Sequence, residues 1–137
     1  MNKTLQETNK QVVTRFNKEF IENGNQEAFE EIVALDFVNR SAATLNIPSG
    51  REGIKDYIID VLRKALTNVK VEIYDQIAEG DTVVTRKSIS GIQVGEFLNK
   101  PATNERITMH LIDIVTLKDG KYVEHWRYGQ VVDTLTS

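Results

Sequence analysis

The stretch Met109-His110-Leu111-Ile112-Asp113-Ile114-Val115-Thr116-Leu117-Lys118-Asp119-Gly120-Lys121-Tyr122-Val123-Glu124-His125-Trp126-Arg127-Tyr128 decides the fold. Two runs rich in β-branched and aromatic residues flank Asp119-Gly120, a pair that favours a tight hairpin turn. They predict two long antiparallel strands, Ile107 to Leu117 and Tyr122 to about Val132. A two-residue turn fixes their register, because side chains alternate faces along a strand. With Lys118 opposite Lys121, Asp113 faces Trp126, Leu111 faces Tyr128 and Met109 faces Gln130. One sheet face then carries Asp113, Trp126, Tyr128 and Gln130. The other carries His110, Ile112, Ile114, His125 and Arg127. Neither face is purely polar, so helices are expected to cover one and a partner subunit the other. A single bulged residue would shift this register and exchange the faces.

Upstream the same period of two runs through Val69, Val71 and Ile73, with a turn at Glu79-Gly80-Asp81. Another strand starts at Thr82 and heads for Gly91, with Ile92 to Leu98 continuing it past a bend. Residues 99 to 104 read as a loop. Before Val69 the period is helical. Leu5, Val12, Val13, Phe16, Phe20 and Ile21 form a first stripe, closed by Gly24. Asn25 caps a second helix carrying Ala28, Phe29, Ile32 and Val33. Asp36 to Arg40 is a short extended piece. Ser49 is placed to cap a third helix, whose stripe is Ile54, Tyr57, Ile58, Val61, Leu62 and Leu66. Helices first and an antiparallel sheet second is the α+β pattern.

Composition limits what such a domain can do. The chain has 137 residues, 40% hydrophobic and 27% charged, with a net charge of −3. That suits one compact domain over residues 1–137 and excludes disorder as a class. The absence of cysteine removes disulfides, thiolate metal sites and cysteine nucleophiles. Two histidines make a histidine-rich metal site unexpected. Mild acidity argues against a nucleic-acid partner. No apolar run approaches the roughly 18 to 20 residues of a membrane span. The polar start lacks a signal peptide's apolar core, so a cytoplasmic location is expected.

Several stretches resemble one family in order and spacing across nearly the whole chain. They are Asp36-Phe37-Val38, Pro48-Ser49-Gly50-Arg51-Glu52-Gly53 and Ala78-Glu79-Gly80-Asp81-Thr82-Val83-Val84-Thr85-Arg86. Gly91-Ile92-Gln93-Val94-Gly95-Glu96-Phe97-Leu98, Pro101-Ala102-Thr103, Asp113-Ile114 and Asp119 to Trp126 follow. The pattern resembles the SnoaL-like polyketide cyclase (ester cyclase) family of the nuclear transport factor 2-like superfamily. That resemblance implies a cone-shaped, curved antiparallel sheet whose concave face three N-terminal helices close over a pocket. It also implies cofactor-free acid–base chemistry beside a carbonyl group. The family pattern carries an aspartate four residues after the tryptophan, where this chain has Gln130. Arg40 and Gln93 stand at two positions where the family often has histidine.

The candidate site follows from the register and the resemblance together. Asp113 is the expected general base, its carboxyl pushed up by the indole of Trp126. Arg40 is placed to stabilise a developing enolate, and Gln130 to hydrogen-bond a carbonyl. Trp126, Tyr128, Gln93 and Tyr57 are the expected substrate contacts, with no metal and no cofactor. A structural ion pair of Asp113 with Arg40 or Arg86 is the competing reading of the carboxylate. The expected ligand is a small apolar or ring-containing molecule. The expected assembly is a homodimer through the outer face bearing Ile112 and Ile114. Three readings compete: a small lyase, isomerase or cyclase, a binding module that lost the family's proton-transfer groups, and a structural dimer domain with a filled cone.

Overall fold

The computed structural model describes residues 3–133, with side chains described as far as Gly129. Helix α1 spans residues 5–22, α-helical over Leu5–Arg15 and π-helical over Phe16–Glu22. Its start is set by a capping box, in which the Thr4 hydroxyl accepts from the Glu7 N–H and the Glu7 side chain accepts from the Thr4 N–H. Gly24 follows in a left-handed conformation (φ 70°), and a Cβ there would lie 2.8 Å from Nε of Arg63. The positive φ favours glycine there, and a side chain would also have to displace the end of Arg63. Asn25 caps helix α2 (Gln26–Ile32), accepting from the Glu27 and Ala28 N–H groups.

Strand β1 (Val33–Asn39) leads into a short helix α3 (Ala42–Leu45). Helix α4 spans residues 51–65 and is π-helical over its middle, Tyr57–Leu62. Its N-cap is Gly50, without a side-chain bond, so Ser49 does not cap it as the sequence suggested. The π turn also re-phases the apolar stripe: Tyr57, Ile58 and Leu62 are buried, but Val61 is 44% exposed. Among the described residues no helix is long and apolar enough to cross a membrane.

Strands β2 (Leu66–Glu79), β3 (Thr82–Gln93), β4 (Arg106–Lys118) and β5 (Lys121–Asp133) complete a five-stranded sheet in the order β1-β5-β4-β3-β2. The sheet is curved and unclosed. Pairing is antiparallel except for β1, which runs parallel to β5. The β4–β5 turn has positive φ at both Asp119 (53°) and Gly120 (75°), the geometry that the Asp-Gly pair favours. β3 ends at Gln93, and residues 94–105 form the connection, so the expected continuation to Leu98 does not occur.

The register beyond that turn differs from the sequence expectation. Lys118 pairs with Lys121 and Leu117 with Tyr122, but Thr116 then pairs with Glu124. Val123 is an extra residue on β5, a β-bulge. From there Val115 faces His125, Ile114 faces Trp126, Asp113 faces Arg127 and Ile112 faces Tyr128. His125 and Arg127 therefore join Asp113 on the concave, helix-covered face, and Trp126 and Tyr128 move to the outer face. The core between sheet and helices centres on Phe20 and Phe29, both fully buried with ring centroids 4.8 Å apart.

Candidate functional site

A cavity lies between helices α1 and α4 and the concave faces of β3, β4 and β5. It encloses about 660 Å³ of empty space, open solvent at its mouth included, and its walls are chiefly apolar. Phe16, Phe37, Ile54, Ile58, Met109 and Leu111 supply much of that wall. Five polar side chains interrupt it: Tyr57, Lys87, Asp113, His125 and Arg127; the phenol of Tyr122 also borders the space.

Asp113 is the centre of this polar set. Its side chain is 7% exposed, and it is held from two sides. Lys87 Nζ lies 2.5 Å from Oδ2, and His125 Nε2 lies 2.9 Å from Oδ1. Lys87 reaches it diagonally, because Asp113 pairs with Thr85, two residues before Lys87 on β3. Lys87 also donates to Asn17 Oδ1 at 2.5 Å, and the Asn17 amide donates in turn to the Val13 carbonyl at 2.9 Å. On the other side, His125 Nδ1 is 3.3 Å from Asn39 Oδ1, which already accepts the Ser41 N–H at 3.0 Å. A chain of contacts thus runs from Asn17 through Lys87, Asp113 and His125 to Asn39.

The electrostatics follow from that chain. Burial alone would push the Asp113 carboxyl up. The Lys87 ammonium and the His125 contact outweigh it, and the carboxyl is held well below the usual carboxylate range. The expectation of a raised value against Trp126 is overturned, because the bulge carries the indole to the other face. Burial, then the Asp113 charge, pushes the neighbouring Tyr122 phenol well above its ordinary value.

The remaining expected site residues divide plainly. Tyr57 lines the cavity. Arg40 does not: it is an exposed residue whose Nε lies 2.6 Å from Glu124 Oε2. Arg86 pairs with Asp75 at 2.7 Å, so neither arginine meets Asp113. The Gln93 amide is buried in the β3–β4 connection, donating to the Gly95 and Lys100 carbonyls and accepting from the Thr103 hydroxyl. Trp126 is half-buried on the outer face, and Tyr128 is 59% exposed there. The backbone of Gln130 pairs with His110, and its side chain lies outside the described residues.

Lys87, Asn17, Asn39, Tyr122 and Arg127 were not anticipated as site residues. Lys87 carried a readable signal, since it shares strand parity with Val83, Thr85 and Ile89, an otherwise uncharged inner face.

The model of the SnoaL-like polyketide cyclase family matches residues 11–137. The chain belongs to that family. No curated protein matches it. Among solved structures, TsrD from Streptomyces laurentii superposes with a TM-score of 0.79 at 25% identity, covering 90% of this chain and 89% of TsrD. IdmH from Streptomyces antibioticus, a proposed polyketide cyclase, gives 0.74 at 24% identity, with 88% and 91% coverage. An epoxide hydrolase of the LEH-like type from M. tuberculosis gives 0.68 at 14% identity, with 93% and 86% coverage. The last two likenesses are of fold alone. The SnoaL-like chain described here thus has the α+β cone of the nuclear transport factor 2-like superfamily, with one parallel strand pair at its edge.

Proposed function

We propose that this SnoaL-like domain binds a small, largely apolar carbonyl compound in the cavity and moves a proton beside its carbonyl group. One observation carries the reading: the imidazole of His125, held through Nε2 by Asp113, borders a chiefly apolar enclosure. Imidazole is the side chain suited to exchange a proton near neutral pH. In the reading, the neutral ring carries its one proton on Nε2, donated to Asp113, and the bare Nδ1 turns from the acceptor oxygen of Asn39 to take the proton α to the carbonyl. The bonding pair left behind forms an enolate. Asp113 keeps the ring oriented and balances the charge it gains. Asp113 is thus a positioning group rather than the base that the sequence suggested.

The experiment is deuterium exchange at the α-hydrogens of 2-tetralone in heavy water, followed by proton NMR. Wild type is expected to speed exchange, and His125→Gln to return it to the buffer rate. Saturable binding of 2-tetralone with no exchange above buffer would defeat the catalytic reading. That result would favour a second one, a non-catalytic binding module. Its support is that both Asp113 oxygens and both His125 nitrogens already have partners inside the protein.

The assembly proposed with this function is a homodimer through the outer sheet face. Ile112 and Tyr128 are cross-strand partners there, 41% and 59% exposed, beside the Ile114–Trp126 pair. An apolar patch of this kind suits a self-complementary two-fold contact. A monomeric mass by light scattering at micromolar concentration would exclude it.

A further inference from the structure

Two polar side chains that line the cavity have no side-chain partner among the described residues. The Tyr57 hydroxyl is buried, its residue 8% exposed, and has no hydrogen-bond partner among the described residues. Arg127 borders the same space, and its guanidinium has neither an ion pair nor a hydrogen bond among the described residues. Arg127 is only half-buried, but the buried Tyr57 hydroxyl is unfavourable in apolar surroundings unless something fills its hydrogen-bonding position. The other charges nearby cannot do so. Both oxygens of Asp113 are occupied by Lys87 and His125, so Arg127 has no carboxylate partner among the described residues.

The root of Arg127 is fixed. Its N–H donates to the Ser41 hydroxyl at 2.8 Å, and that hydroxyl donates to the Arg127 carbonyl at 3.2 Å. Ser41 is itself buried. Tyr57 stands on the opposite wall, on the π turn of α4. A planar fork of donors from the sheet and a single O–H donor from the helix therefore converge on one apolar space.

We propose that Arg127 and Tyr57 bind an anionic oxygen of the ligand, which is an organic acid carried as its anion on an apolar body. The inference rests on the reading of the cavity as a ligand pocket and adds the substrate class. The oxygen belongs to a carboxylate or to an acidic enol. Burial raises the Tyr57 phenol above its ordinary value while the Arg127 charge opposes that push, so the phenol remains a donor near neutral pH.

The test is calorimetric titration of 2-naphthoate and of 2-naphthamide, which share a body and differ in charge. Wild type is expected to bind the naphthoate about tenfold or more tightly than the amide, as charged hydrogen bonds do. Arg127→Gln is expected to remove the preference. Tyr57→Phe is expected to weaken naphthoate binding roughly threefold to tenfold, with a thermal midpoint unchanged or raised, because it deletes an unpaired buried hydroxyl. Equal affinity for both probes in wild type overturns this inference and leaves the pocket reading standing. A preference that survives Arg127→Gln also overturns it. A lowered Tyr57→Phe midpoint with naphthoate affinity intact overturns the part assigned to Tyr57. Binding of neither probe overturns the inference and the pocket reading together.

Discussion

Asp113 Oδ1 and His125 Nε2 lie 2.9 Å apart, on adjacent strands, because one residue between the turn and His125 has no partner across the ladder. Without Val123 as that surplus residue, the present sequence would set Asp113 opposite the indole of Trp126 and send His125 to the outer face.

Deleting Val123 tests this register directly. Since Glu124 already pairs with Thr116, removing the bulged residue leaves every later pair unchanged. The variant is expected to fold, with stability lowered by about 1 to 3 kcal/mol from lost packing and twist. The emission of the single tryptophan should be nearly unchanged. In an unbulged strand the same deletion would turn the whole distal segment inside out and expel the indole from the inner face, so an unfolded product or a strong red shift would refute the bulge.

Asp113→Asn removes the charge that Lys87 and His125 share. Lys87 is then buried with only neutral amides facing it. The expected loss is about 3 to 5 kcal/mol, typical of breaking one side of a buried pair. Urea unfolding measures it. Lys87→Met in the Asp113→Asn background should recover part of the loss; strict additivity of the two changes would count against the pairing.

Acid should act through the same carboxyl. Its folded-state value is depressed, so the unfolded chain takes up the proton first as pH falls. The stabilisation is present above the ordinary carboxylate range and is lost progressively below about pH 4. Unfolding free energies between about pH 6 and about pH 2 should fall more steeply for wild type than for Asp113→Asn. Parallel curves would show that Asp113 is not responsible.

Arg40→Gln is expected to cost less than about 1 kcal/mol, since exposed ion pairs contribute little. It should leave the affinity for 2-naphthoate unchanged, because Arg40 meets Glu124 at the surface and does not border the cavity. A tenfold loss of binding would return Arg40 to the site.

What could be read in the sequence was what short-range chemistry decides. The Asp119-Gly120 turn, the Gly24 stop and the Asn25 cap each depend on a few neighbouring residues, and each stands where it was expected. The α+β class followed from the change of period near Val69. Asp113 reached the concave face because β4 alternates without interruption. The faces of β5 were misread because Val123, β-branched and apolar, is as much at home in a regular strand as in a bulge. Val61 was misread for a related reason, since nothing in the helical stripe marks a π turn. Gln93 and Arg40 failed differently. Their partners, Lys100, Thr103 and Glu124, are chosen by loop closure and by the β1–β5 pairing, which periodicity does not encode.

The wide turns of α1 and α4 have a consequence for how such cavities diversify. Each π turn inserts into its helix what the bulge inserts into β5, an extra residue within an element that borders the same space. Gaining or losing one residue at any of the three re-aims side chains locally, and the flanking segments keep their phase against the core. The outline of the cavity is thereby uncoupled from the scaffold around it. Chain length can change at these three places while the packed interior keeps its register.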